Sequence, residues 1–307
     1  MKRISPYAAG STLYVPSTAW NFMEKILAGT YAFLPSVTLC LEDAIREEDV
    51  PVGMACIARF LEAARTGDAP LPAIFLRPRN SDNLTALLKQ DGLDRVAGYV
   101  LPKFTAADLP VWEALLRDVP VWWQPTLETA DVFDSRAMRR LAERLLRSPC
   151  RERILVLRIG GNDLQQLLGV RRSRRHTLYA GPLGATLAML ATTFLPRGFA
   201  LSAPVFEILD DENLLLQELE LDIMHGFCGK TVIHPAQLRP VREAFRVTPQ
   251  EVCAARAVLN SKKAVFRFDD AMCEPSTHSR WAAAVLERRE VFGERLSLLP
   301  PQRKETA

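Results

Sequence analysis

Eight short apolar runs, each bounded by turn residues, constrain this chain more than any other feature. They fall at residues 13–16, 37–41, 73–77, 98–101, 121–127, 154–159, 200–205 and 230–233. Runs of this kind read as strands covered on both faces, which a parallel sheet flanked by helices provides. Segments 109–117 and 135–147 recur apolar at helical spacing, as crossover helices between parallel strands must. Eight such strands are the number that closes a barrel, so the expected fold is α/β, a (β/α)8 TIM barrel. A doubly wound open sheet is the competing architecture.

The runs end abruptly in polar residues. The second ends in Glu42-Asp43, the third in Arg77-Pro-Arg-Asn80, the fourth in Pro102-Lys103, the fifth in Glu128-Thr129 and the sixth in Gly160-Gly-Asn-Asp163. In a parallel barrel these ends share one face, the face that carries chemistry. A lone acid after a strand is commonly the N-cap of the next helix; five successive strands ending in charged groups ask for more than capping. The stretch from Gly226 to Gln237 has the grammar of a last strand: a glycine turn, Lys230, the apolar run Thr231-Val-Ile233, then His234 and Pro235 as a stop.

Composition agrees with a barrel of about 250 residues plus an appendage. The chain has 307 residues, 48% of them hydrophobic and 24% charged, and a net charge of +3. That charge gives no electrostatic footprint for nucleic acid, and none is expected as a partner. Six cysteines are far apart with no CxxC pair, which signals neither zinc nor a disulfide framework and fits reduced thiols in the cytoplasm. The N-terminus lacks the apolar segment of a signal peptide. The one apolar stretch long enough to examine as a membrane span, 183–206, is broken by Pro196-Arg197 and Pro204, and reads as a buried helix followed by a strand. Beyond the barrel domain, 1–247, Thr248 with Glu251 has the form of a capping box and opens a small C-terminal helical arm, 248–307.

Taken in order, the motifs resemble the citrate lyase beta subunit-like and HpcH/HpaI aldolase group of TIM-barrel lyases. Leu13-Tyr-Val-Pro16 is similar to its opening strand, Leu41-Glu-Asp-Ala44 to its acidic motif and Leu76-Arg-Pro-Arg-Asn80 to its arginine strand. Leu101-Pro-Lys103, Leu127-Glu-Thr129, Gly161-Asn-Asp-Leu164 and the Gly226 to Gln237 stretch continue the series. The resemblance implies a Mg2+ ion held by Glu128 and Asp163, two hard oxygen ligands with waters and a keto acid completing the shell. It implies that Arg77 grips a substrate carboxylate through paired hydrogen bonds, with Glu42 and Asp43 beside it and Lys103 and Asn162 lining the substrate. It further implies that coenzyme A thioesters are candidate substrates. The C-terminal arm would pack on a neighbouring subunit of a trimer or hexamer and bring an acid, here Glu274, to that subunit's site.

The chain departs from that pattern in places. The acidic motif is led by Cys40 where the family has an aspartate, and Val50-Pro-Val-Gly53 is expected to interrupt the following helix, leaving only Arg59 in place. The loop Val170-Arg-Arg-Ser-Arg-Arg-His176 is unusually basic, and Arg171 and Arg172 are candidates for binding a phosphorylated or otherwise anionic substrate. Each assignment has a plainer counterpart: an ion pair of Arg77 with Glu42 or Asp43, a cap or salt bridge for Glu128 and Asp163, a solvated loop for the arginines and for Glu274, and structural roles for Lys230 and His234. The expected activity is a magnesium-dependent carbon–carbon bond lyase of aldol or Claisen type acting on a small anionic keto or hydroxy acid or its thioester. An acyl-coenzyme A thioester hydrolase and a non-catalytic anion-binding barrel are the alternatives.

Overall fold

The computed structural model describes residues 3–295. The chain divides into two compact units, with the boundary between Val241 and Arg242. In the first unit, strands β1 (Thr12–Pro16), β2 (Ser36–Cys40), β3 (Ala73–Arg77), β4 (Val96–Leu101), β5 (Trp122–Leu127), β6 (Leu157–Ile159) and β7 (Leu201–Ser202) form one parallel sheet in chain order. Segment 228–232 joins its two edges. Cys228 N donates to Leu201 O at 2.8 Å and Ala203 N to Gly229 O at 2.8 Å, while Tyr14 N donates to Val232 O at 2.8 Å and Val232 N to Thr12 O at 2.9 Å. The bridges Ala203 to Lys230 and Leu13 to Val232 are both parallel, so the eighth run expected from the sequence closes the barrel through single bridges.

The barrel unit carries helices α1 (Pro6–Gly10), α2 (Trp20–Leu27), α3 (Val50–Thr66), α4 (Ser81–Leu87), α5 (Leu109–Leu116), α6 (Ser135–Arg147), α7 (Gly161–Leu167), α8 (Pro182–Phe194) and α9 (Glu212–Met224). Helix α6 shows why they form: Met138, Leu141, Ala142 and Leu145 recur at helical spacing and are buried, while Asp134 caps the first turn by accepting from Arg136 N at 2.8 Å. The expected interruption at Val50-Pro-Val-Gly53 does not occur. Pro51 lies in the first turn of α3, where no intrahelical donor is needed, and so begins the helix instead of breaking it. A Cβ on Gly53 would lie 2.2 Å from Ser17 Oγ and 2.8 Å from Leu41 Cδ2, so glycine is what lets α3 lie against the ends of β1 and β2.

Helix α1 precedes β1 and plugs the N-terminal end of the barrel. Ala9 packs with Phe75, Val100, Leu155, Val156 and Cys228. Its last carbonyls turn inward and accept from the barrel interior: Ala8 O from Ser36 Oγ at 2.7 Å, Gly10 O from Ser202 Oγ at 2.8 Å and Ala9 O from Arg158 Nη1 at 3.0 Å. A cavity lies where the strands finish.

Helix α10 (Leu238–Phe245) contains the boundary, and the second unit holds α11 (Pro249–Asn260), the hairpin β8 (Phe266–Phe268) and β9 (Ala271–Cys273), and α12 (Pro275–Phe292). Its core is Val247, Val252, Ala255, Val258, Ala282 and Val285. Thr248 and Glu251 form the capping box, each side chain accepting from the other's backbone N–H. All six cysteines are free, and among the described residues no helix is long and apolar enough to cross a membrane.

Candidate active site

Charged side chains from the ends of β2 to β6 meet around one cavity of about 230 Å³. Arg77, the last residue of β3, is at its centre and is buried. Its Nη2 lies 2.7 Å from Glu42 Oε2, beyond β2, and donates to Glu128 Oε1 and Oε2 at 3.0 and 3.2 Å, beyond β5. The ion pair with Glu42 weighed from the sequence is present, and Glu128 shares the same guanidinium. Lys103 completes the ring. Its backbone is in the left-handed region at φ 47°, unusual for a lysine. This turn points its N–H at Glu128 Oε1, 2.8 Å away, and its ammonium at Glu42 Oε1, Asp163 Oδ1 and Asp43 Oδ1 at 3.0, 3.5 and 3.9 Å.

Asp163 is in the first turn of α7, and together with Asn162 it lines the same cavity as Glu128 and Asp43. The chain at Gly160 passes so close to Glu128 that a Cβ there would lie 2.2 Å from Oε2. Only glycine allows the β6 end to fold over that carboxylate.

The electrostatics follow from this crowding. Burial raises the Glu128 carboxyl, Arg77 opposes the rise, and Asp163 and Glu42 add to it, leaving it pushed up to about 7. Burial, with Glu42 and Asp163 as negative neighbours, pushes Asp43 up to about 6. Burial works against ionisation of Glu42 as well, but Arg77, the Asp43 contact and Lys103 hold it below its ordinary range. Four carboxylates, Glu42, Asp43, Glu128 and Asp163, therefore gather around two cations, Arg77 and Lys103, at one mouth. This excess of negative charge, with two acids disfavoured in their ionised forms, fits a bound cation. Among the described residues no three His, Cys, Asp or Glu side chains form a ready cage. A pair of carboxylates, Glu128 and Asp163, suits a hard divalent ion that keeps most of its shell for water and substrate.

Several lining residues were not identified from the sequence: Tyr14, Thr126, Arg158 and Thr231. The available signal was a charge inside an apolar run, Arg158 within 154–159. Its Cα pairs with Thr126 across β5 and β6, so both side chains project to the same face.

Other candidates lie elsewhere. Arg171 and Arg172 do not line this cavity; they border a second one of about 280 Å³ formed by residues between 165 and 183. Arg172 has acidic partners of its own. Its buried guanidinium donates to Glu207, Glu218 and the Val205 carbonyl, which tie the basic loop to α9 through Glu218 and to the segment before it through the other two. Lys230 is likewise structural, with Nζ 2.9 Å from both Glu218 and Asp222. His234 Nδ1 accepts from Ala236 N at 3.2 Å, closing the turn after the eighth run. Glu274, in the second unit, is the N-cap residue of α12 and accepts from Thr277 Oγ1 at 3.3 Å.

Residues 3–294 match the family described as C–C bond lyase of the TIM-barrel fold. The chain belongs to that family. The (3S)-malyl-CoA thioesterase of Cereibacter sphaeroides is 30% identical over 244 residues, 79% of each chain. A citrate lyase from Burkholderia xenovorans superposes with a TM-score of 0.70 at 19% identity, covering 94% of this chain and 93% of its own. CitE from Mycobacterium tuberculosis, solved with magnesium, acetoacetate and coenzyme A, superposes with a TM-score of 0.65 at 21% identity, covering 91% and 97%. At these identities the two structures speak for the fold; the family match covers nearly the whole chain and makes this a C–C bond lyase-family barrel.

Proposed function

We propose that this protein is a magnesium-dependent carbon–carbon bond lyase acting on a keto or hydroxy acid or its coenzyme A thioester. The observation that carries the reading is the meeting of Glu128, Asp163 and Arg77 around one cavity at the strand ends, with Lys103 paired to Asp163 beside them. The CitE complex with magnesium, acetoacetate and coenzyme A supports the choice of ion and ligand class. Bound by Glu128 and Asp163, magnesium would polarise a substrate carbonyl and stabilise negative charge developing there as the neighbouring C–C bond breaks.

The chain's own residues supply the rest. Glu42 and Glu128 fix the Arg77 guanidinium in one orientation, which favours a directional hydrogen bond to substrate over mobile charge. Lys103 adds positive potential next to Asp163. Asp43 lines the cavity with its carboxyl near 6, suited to taking and returning a proton near neutral pH. The reading extends to a cytoplasmic homo-oligomer, trimer or hexamer, in which the arm after residue 247 carries Glu274 to a neighbouring subunit; the six free cysteines are in keeping with a reducing compartment.

The 30% identity to a malyl-CoA thioesterase favours a second reading, hydrolysis of a thioester on the same scaffold. Product analysis separates the two. With Mg2+ and malyl-CoA, cleavage of the carbon chain yields glyoxylate and acetyl-CoA, whereas hydrolysis yields malate and free coenzyme A thiol. The expected result is the first pair of products, lost on chelation and in Asp163→Asn. Thiol release without glyoxylate would establish the hydrolase instead.

A further inference from the structure

Two arginines reach the cavity, and they differ in how their charge is met. Arg77 is neutralised by Glu42 and Glu128. Arg158, buried within β6 and lining the same cavity, has only neutral acceptors around it: Ala9 O at 3.0 Å, Gln124 Oε1 at 2.8 Å, Gly10 O at 3.5 Å and Thr231 Oγ1 at 2.6 Å. Among the described residues no carboxylate comes within ion-pair distance of it. Neutral acceptors satisfy its N–H groups without cancelling its charge, and a buried, uncompensated cation is costly. The Tyr14 ring, 5.3 Å from the Arg158 guanidinium carbon and 5.9 Å from that of Arg77, offsets part of that cost at most.

The plainer role for Arg158 is to hold α1, whose Ala9 and Gly10 carbonyls it binds. That role does not require a charge, since Ser36 and Ser202 bind the neighbouring carbonyls with neutral hydroxyls. Nor does it explain why Arg158 borders a cavity that Asp43, Asn162 and Asp163 also line.

We propose that Arg158 is an anion receptor of this cavity, and that it selects substrates carrying a second carboxylate beyond the carbonyl-bearing end that meets Glu128 and Asp163. The inference rests on the function proposed above and deepens it by naming the preferred substrate class, a dianionic keto acid or a thioester that releases one, with malyl-CoA, which releases the monoanion glyoxylate, as a poorer substrate. Arg158 reads the far carboxylate, while Arg77, fixed among the acids at the mouth, keeps its hydrogen bond to the carbonyl-bearing end.

Calorimetry with Mg2+ present tests it, comparing oxaloacetate and 2-oxoglutarate with 2-oxobutyrate and 2-oxovalerate, their counterparts of equal chain length lacking the second carboxylate. The wild-type protein binds the dianions about tenfold tighter or more. Arg158→Met removes that preference while leaving affinity for the monoanions within about threefold, and Arg158→Lys restores part of it. Because Arg158→Met also gives up contacts to α1, its fold is checked by circular dichroism, and the wild-type comparison stands without it. Equal wild-type affinity for dianions and monoanions overturns the inference and leaves the lyase reading intact. Absence of Mg2+-dependent binding for all four acids overturns both.

Discussion

Replacing Glu128 with glutamine is expected to stabilise the metal-free protein at pH 8 while abolishing its affinity for magnesium. The carboxyl of Glu128 is raised from 4.5 to about 7, because burial and the nearby Asp163 and Glu42 outweigh the attraction of Arg77, which Glu42 shares. A raised acid contributes its stability in the protonated form. That contribution is complete below the unfolded value near 4.5 and is lost as pH rises through about 7. At about 1.4 kcal/mol per unit, the ionised form at pH 8 costs about 3 kcal/mol relative to the neutral one. Glutamine copies the neutral form in size and leaves Arg77 paired with Glu42 at 2.7 Å. The wild-type melting temperature without divalent ions should therefore fall between pH 5 and pH 8, and that of Glu128→Gln should fall less. At pH 8 the variant should melt about 5 °C higher. Scanning calorimetry in chelator measures the first effect, and titration with Mg2+ at the same pH measures the second. A variant less stable than wild type at pH 8 in chelator, or one that keeps Mg2+ binding, would refute the assignment of Glu128 as a strained ligand waiting for a cation.

Three further expectations follow from contacts around the barrel. Gly160→Ala, which adds a methyl against Glu128 Oε2, should weaken Mg2+ binding by about tenfold or more while circular dichroism stays unchanged. Arg77→Lys keeps the charge but cannot serve two carboxylates in one plane, so turnover of a keto acid substrate should fall about 100-fold, with the Mg2+ isotherm little altered. Lys230→Met leaves buried Asp222 without a cation, while Glu218 keeps Arg172, and should cost about 3–5 kcal/mol in urea unfolding; because Lys230 does not line the cavity, Mg2+ affinity should be retained in the folded variant.

What could be read from the sequence divides along physical lines. The strands were legible because parallel barrel strands are apolar on both faces and stop sharply, and Glu42, Arg77, Lys103, Glu128 and Asp163 were legible because they sit at those stops. The same property hid Arg158 and Tyr14. A run without polar alternation gives no sign of which residues point inward, so a functional group in mid-strand looks like an exception within a core. Proximity in sequence misled at the basic loop: Arg172 follows Asp163 closely along the chain, but its direction is set by Glu207 and Glu218, acids far ahead that only the fold brings near. Pro51 misled differently, since a proline that would break a helix interior is at home in a first turn, and the boundary of α3 decides which applies.

The close passage of Gly160 over Glu128 has a consequence for how such a barrel loses its chemistry. Most routes to an inactive relative delete a functional group, and an observer scanning for missing ligands would notice them. Here a single added carbon, at a residue that touches no reactant, would displace the carboxylate while every acid and base stayed in the sequence. A descendant of this protein could thus retain the whole inventory of its ancestor and still be silent, and position 160 is where to look before crediting any such chain with activity.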